Sequence, residues 1–276
     1  MGKKIAFIGV GNMAAATIAG ITNANRDMSD IILYNRHKEK IEKYRECGAV
    51  IADSLCEAVE AADIVMLCVK PQNFPDILPE LSLCKNVSSK IFVTMAAGIT
   101  MKTVSDAALG APVVRVMPNT PMLIGKGVIA ACKNEQTSDG DFDLVCEIFA
   151  LSGKVIKIDE SEMNRIICVT GSSPAYVFMM IRAMYEGAEA QGLLQNGEGF
   201  GITEKELIDS ICDTIIGAAE LMKAGTKTPD EQISTVASKG GTTERAIAEL
   251  ERYCFDEAII SAMNKCTERA DELGKN

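Results

Sequence analysis

A short, mainly apolar run from Lys4 to Ile8 leads straight into Gly9-Val10-Gly11-Asn12-Met13-Ala14, and residues 12–23 then carry Ala, Ile and Met at helical spacing. Few folds accept a buried strand that turns through glycines into a helix. The first glycine permits the tight turn and the second lets a ligand approach the backbone. The third position asks only for a small residue, which Ala14 supplies. The N–H groups and dipole of such a helix start favour an anion. The first half of the chain repeats this alternation. Apolar runs at Asp30–Tyr34, Val50-Ile51, Asp63–Val69, Ile91–Met95, Pro112–Val116 and Gly127–Ala131 are interleaved with helical segments at Lys38–Cys47, Ser54–Ala61, Met101–Ala108 and Asp139–Leu151. Apolar strands between helices predict a doubly wound, mostly parallel α/β sheet covered on both faces.

In such a sheet ligands bind at the carboxyl ends of the strands. Ile8, Gly9, Val10, Gly11, Asn12 and Met13 form the first of these ends and suit the pyrophosphate of a dinucleotide. An acidic residue at the end of the second strand would grip a ribose hydroxyl. The chain instead has Asn35 and Arg36, and a guanidinium suits a 2′-phosphate, so NADP(H) is the expected cofactor, with NADH also admitted. Cys68, Val69, Lys70 and Pro71 end a further strand and are read as closing over the cofactor. Ala96 and Ala97, followed by Gly98, are small enough for a flat ring to lie against the backbone. Arg115 to Pro121 forms one more such end.

After about Glu160 the strand signals stop, which divides the chain into a cofactor domain, 1–159, and a helical domain, 160–276. Ser173-Pro174 reads as a helix start, with serine as cap and proline in the first turn. The segment that follows, Ala175 to Leu194, is apolar on more than one face, and a helix of that kind needs cover that a subunit interface supplies. Thr203 to Glu206 is a capping box for a long helix to about Ala224, Pro229 opens a shorter helix, and Cys254 to Leu273 forms the last.

The formal net charge of −10 and the pI of about 4.8, with no basic run, make nucleic acid and anionic membranes poor partners. The 10 cysteines include no CxxC pair and several lie in apolar runs, so they read as buried free thiols of a reducing cytoplasm, with no metal site. The N-terminus has no signal-peptide core, and no run reaches the ~20 apolar residues of a membrane span. The expected location is cytoplasmic. The single histidine, His37, lies beside the proposed phosphate site, and the motifs of hydrolases and P-loop proteins are absent. Hydride transfer remains, in which the cofactor carries the chemistry and the protein supplies position and electrostatics.

Near the C-terminus, Ser238-Lys239-Gly240-Gly241-Thr242-Thr243 opens another helix. The glycines bring the backbone close to a ligand, and the threonines place hydroxyls and N–H groups where a small carboxylate would bind. With this segment, the blocks Phe7 to Ala14, Val69-Lys70-Pro71-Gln72, Ala96 to Thr100, Arg115 to Pro121 and Gly171 to Tyr176 resemble pyrroline-5-carboxylate reductases nearly end to end. The resemblance implies an N-terminal Rossmann domain and an all-α substrate and dimerisation domain that interlocks into a homodimer, with rings of dimers as a further assembly. It implies reduction of the C=N bond of 1-pyrroline-5-carboxylate to proline. The substrate carboxylate would rest on Ser238, Gly240, Gly241 and Thr242, and Thr243 would hydrogen-bond the ring nitrogen as the catalytic residue.

Lys239 and Ser173 stand where the family usually has proline and glycine. They are the basis for an alternative reading as a non-catalytic NADP(H)-binding paralogue. A β-hydroxyacid dehydrogenase, the other alternative, would need a lysine in the stretch after Gly171, which this chain lacks.

Overall fold

The computed structural model describes residues 2–194 and 201–274. Residues 1, 195–200 and 275–276, which the expected domain ranges include, lie outside the described residues. The chain divides into two compact units, Met1–Pro174 with Asn264–Asn276, and Ala175–Met263.

The first unit holds, among the described residues, an 8-stranded sheet in the order β3-β2-β1-β4-β5-β6-β7-β8. Its strands are β1 (Ile5–Ile8), β2 (Ile31–Tyr34), β3 (Val50–Ile51), β4 (Ile64–Leu67), β5 (Ile91–Thr94), β6 (Val113–Met117), β7 (Gly127–Lys133) and β8 (Gly153–Lys157). All neighbours are parallel except β6 and β7, which makes the sheet mostly parallel, as the sequence predicts. The chain builds outward through β2 and β3, then returns to the other side of β1 with β4. Strand order therefore reverses between β1 and β4, where open α/β sheets bind ligands.

Side chains alternate between two cores along each strand, as the pleat requires. Ile5, Phe7, Ile64 and Met66 face one core, closed by α1 (Asn12–Asn23) and α6 (Asp139–Ala150). Ala6, Ile8, Val65 and Leu67 face the other, closed by α3 (Leu55–Ala61), α4 (Phe74–Leu81) and α5 (Met101–Ala107). The short α2 (Glu42–Arg45) completes this half. Burial on both faces is what made the strands legible as continuous apolar runs.

Four features depart from the sequence expectations. Strand β8 and helix α4 are additional elements. β8 is an edge strand with a lysine on each side of Val155-Ile156, and α4 carries Pro75 and Pro79, so neither has the usual signature of its type. Cys56 and Cys84 form a disulfide across 28 residues, with their Cα atoms 4.9 Å apart, so the ten thiols are not all free. Of the other eight, Cys132, Cys146 and Cys168 are buried while Cys47 and Cys254 are exposed. Ser173 does not start its helix from a loop. α7 (Met163–Ile166) runs through a π-helical turn, Ile167–Gly171, into α8 (Ser173–Ala190), and the Ser173 hydroxyl donates back to the Val169 carbonyl at 2.6 Å. Finally, this fusion makes Glu160–Ala190 a helix long and apolar enough to cross a membrane by length and composition, where the sequence reading found no such segment.

In the second unit, α9 (Glu204–Ala224) and α10 (Pro229–Val236) each begin with a capping box, from Thr203 and Thr228, followed by α11 (Thr242–Arg252) and the first part of α12 (Phe255–Leu273). Of this unit's described residues, Leu207 and Ile211 are the buried ones. Phe178, Met179, Ile216, Leu221, Val236 and Ile260 are exposed. A helical unit that leaves this much apolar surface in water presents the face of an interface.

Candidate functional site

Parallel pairing places three chain segments at one sheet edge. Ile8 is level with Tyr34 on one side and Leu67 on the other, so Gly9, Asn35 and Cys68 follow at the same height. Gly9 N–H donates to the Tyr34 carbonyl at 2.8 Å, and Cys68 N–H to that of Ile8 at 2.9 Å. Gly9 has φ of 84°, and a Cβ there would stand 2.7 Å from Val69 Cγ1, so turn and packing both require glycine. Gly11 is different. It precedes α1 in extended conformation, and a Cβ on it would meet no described atom within 4 Å. Among the described residues no side chain caps α1, and its first turn has no acidic group. Its leading N–H groups thus present a positive end to open space, the arrangement that binds a pyrophosphate.

A cavity of about 310 Å³ lies over this edge and brings together Ile8, Gly9, Val10, Gly11, Asn35, Arg36, Cys68, Val69 and Lys70 from the expected set. Asn12, Met13, Pro71, Ala96 and Ala97 are not in its lining. Pro71 faces a neighbouring cavity with Gly98, Asn12 is exposed, Met13 and Ala97 are half-buried, and Ala96 is buried. Asn35 is already engaged: its Oδ1 accepts the Val10 N–H at 3.3 Å and its Nδ2 donates to the His37 carbonyl at 2.8 Å. It braces the glycine turn. Arg36 reaches over the cavity to Asp76 on α4, with Nη2 3.0 Å from Oδ2. Asn73, Asp76, Ile77 and Glu80 also line the cavity, and sequence reasoning missed them because it missed α4. The helical spacing of Phe74, Ile77, Leu78 and Leu81 was the available signal. Burial pushes the Cys68 thiol well above its ordinary range, so this group lines the site as a neutral apolar atom.

The Arg115–Pro121 block is used inward. Arg115 is 3% exposed and donates to Asn164 Oδ1 at 3.0 Å, with Glu160 Oε1 3.5 Å from its Nη1. Its Nε has no hydrogen-bond partner among the described residues. Burial, with the Glu160 carboxylate adding to it, pushes the nearby Cys132 thiol up to about 12.

The second unit carries the Ser238–Thr243 segment. Gly241 N–H donates to the Ser238 carbonyl at 2.9 Å, closing a turn in which Gly240 has φ of 74°. Gly241 precedes α11, and no side chain caps that helix among the described residues. The Glu244 carboxylate folds back and accepts the Gly240 N–H at 2.7 Å. A carboxylate oxygen therefore already rests on this turn. Thr243 is half-buried and faces an apolar cavity of about 410 Å³ with Met222, Ile233, Val236 and Ile247, whereas Ser238, Gly240, Gly241 and Thr242 are not in its lining. Among the described residues, no group of three or more His, Cys, Asp or Glu side chains is arranged to hold a metal ion.

The family model for pyrroline-5-carboxylate reductase dimerisation matches residues 160–273, and that for NADP oxidoreductase, coenzyme F420-dependent, matches residues 4–98. The chain is 35% identical over 276 residues to the pyrroline-5-carboxylate reductase of Corynebacterium melassecola, covering 99% of each chain. It is 32% identical over 280 residues to that of Escherichia coli strain K12, covering 100% of each. The pyrroline carboxylate reductase of Plasmodium falciparum, solved with NADP bound, has a TM-score of 0.87 at 24% identity, over 99% of this chain and 98% of that one; at that identity the likeness is one of fold.

Proposed function

The chain belongs to the pyrroline-5-carboxylate reductase family, and on that premise we propose that it reduces the C=N bond of 1-pyrroline-5-carboxylate to proline with NADPH, NADH being accepted as well. The full-length similarity, 35% identity over 99% of the chain, is the observation that carries this. The dinucleotide fits the cavity at the β1–β4 reversal: uncapped N–H groups for the pyrophosphate, clear space before Gly11, and Arg36 for a 2′-phosphate. Ile8, Gly9, Val10, Gly11, Asn12, Met13, Asn35, Arg36, Cys68, Val69, Lys70, Pro71, Ala96 and Ala97 are the proposed cofactor residues, within a domain of residues 1–159. When bound, NADPH supplies a hydride equivalent.

Residues 160–276 are proposed as the substrate and dimerisation domain of a cytoplasmic homodimer, with rings of dimers as a further assembly. The dimerisation model over 160–273 and the exposed apolar residues of α8 and α9 support this. Ser238, Gly240, Gly241 and Thr242 receive the substrate carboxylate, which displaces the Glu244 side chain from the Gly240 N–H. That the turn holds a carboxylate at 2.7 Å supports the assignment. The Thr243 hydroxyl hydrogen-bonds the ring nitrogen and orients the C=N bond. Because a protonated imine is already electrophilic, these groups orient the substrate without a histidine acting as acid.

The test is absorbance of NADPH on mixing purified protein with 1-pyrroline-5-carboxylate. Oxidation at enzymatic rates is expected. Bound NADPH with no oxidation would overturn the reading and favour a non-catalytic role.

A further inference from the structure

The cofactor cavity holds an acidic pair that faces its basic residues. Arg36 and Lys40 lie on one wall, and Asp76 and Glu80, one turn apart on α4, lie on the other. These four formal charges cancel, which leaves Lys70 as the uncompensated charge of the lining and weakens the field that draws a dianionic phosphate. Asp76 does more than dilute the field, since its Oδ2 holds Arg36 Nη2 at 3.0 Å. Arg36 has further N–H groups to offer, but a 2′-phosphate bound to them would sit beside the Asp76 carboxylate. A ribose hydroxyl in the same place would meet an acceptor. Sheets of this type that bind NAD present such a carboxylate at the end of the second strand. Here that position is Asn35, whose side chain is spent on bracing the glycine turn.

Resting on the cofactor reading above, we infer that Asp76 is a specificity-determining residue: from α4 it supplies the carboxylate missing from the second strand, holds down the preference for NADPH, and lets NADH serve. Arg36 alone would make the site selective for the phosphorylated cofactor. Both side chains are more than half exposed, at 68% and 58%. An ion pair of that kind contributes little orientation to Arg36. Repulsion of the phosphate is therefore the larger effect, and ionic strength screens it.

The experiment compares affinities for NADP⁺ and NAD⁺ by titration calorimetry in the wild type, Asp76→Asn and Glu80→Gln, each checked for an unchanged melting temperature. The isosteric amides leave α4 intact. Asp76→Asn is expected to raise the ratio of NADP⁺ to NAD⁺ affinity about threefold to tenfold at low salt, and less at 0.5 M salt. Glu80→Gln should move the ratio in the same direction by a smaller factor. An unchanged ratio would overturn the inference, and a lowered one would mean that Asp76 aims Arg36 at the phosphate instead. A wild type that binds neither nucleotide would remove the cofactor reading itself, and this inference with it.

Discussion

Asn119 and Pro174 meet through the carbonyl of Thr170. Pro174 has no N–H to offer the carbonyl four residues back, and Asn119 Nδ2 donates to that carbonyl at 2.9 Å. The same side chain accepts the Val128 N–H at 2.8 Å through Oδ1. One buried amide thus ties the loop after β6 to β7 and to the π-helical turn that leads into α8. This explains how a proline is tolerated within continuous helical turns, and it gives the Arg115–Pro121 block a structural role.

Asn119→Ala removes both bonds and leaves buried groups unpaired, which is expected to cost about 2–4 kcal/mol of stability. Urea unfolding followed by circular dichroism measures it. A loss under about 0.5 kcal/mol would show that neither bond matters to the fold.

The two glycines of the first turn should separate cleanly. Gly9→Ala places a Cβ at positive φ and against Val69, and is expected to destabilise the fold by about 1–3 kcal/mol. Gly11→Val projects into clear space, so melting should change little while NADPH affinity falls at least tenfold. Equal losses of stability in both variants would contradict the assignment of that space to the dinucleotide.

The thiols should react in a definite order. Exposed Cys47 and Cys254 are expected to be alkylated first at pH 8, read by mass spectrometry of peptides. Cys132, which burial pushes up to about 12, stays a neutral thiol at that pH and should label last, together with buried Cys68. Cys56 and Cys84 should label only after a reductant is added. Their early labelling would show that this disulfide is not formed.

At the glycine turn of the second unit, Thr243→Ala is expected to lower kcat/KM by roughly ten- to a hundredfold, the worth of one hydrogen bond to a partly charged nitrogen, with unfolding unchanged. Glu244→Ala frees the Gly240 N–H and removes a negative charge, so KM for the substrate should fall. Steady-state kinetics decides both. An unaltered rate in the first variant would take Thr243 out of the chemistry.

How far residues announce themselves depends on how local their reasons are. Gly9 was legible because its positive φ and its strand-to-helix setting are fixed by neighbours in sequence. The strands of the sheet were legible because both faces are buried and the runs are nearly all apolar. α4 was hidden by Pro75 and Pro79, and with it Asp76, whose contact with Arg36 spans 40 residues. The Cys56–Cys84 pair and the Glu244 carboxylate on Gly240 depend on folded proximity or on a side chain curling back, which no spacing rule displays. Asn35 was read correctly for its position, yet its side chain turns toward the backbone of the glycine loop.

In the proposed reaction this chain moves a hydride from a nicotinamide to the imine carbon of 1-pyrroline-5-carboxylate. Turnover with NADPH deuterated at C4 on the transferable face, followed by mass spectrometry and NMR of the product, tests it directly. Proline carrying one deuterium on the ring carbon that was double-bonded to nitrogen is the expected product. Cofactor consumed without labelled proline would contradict it.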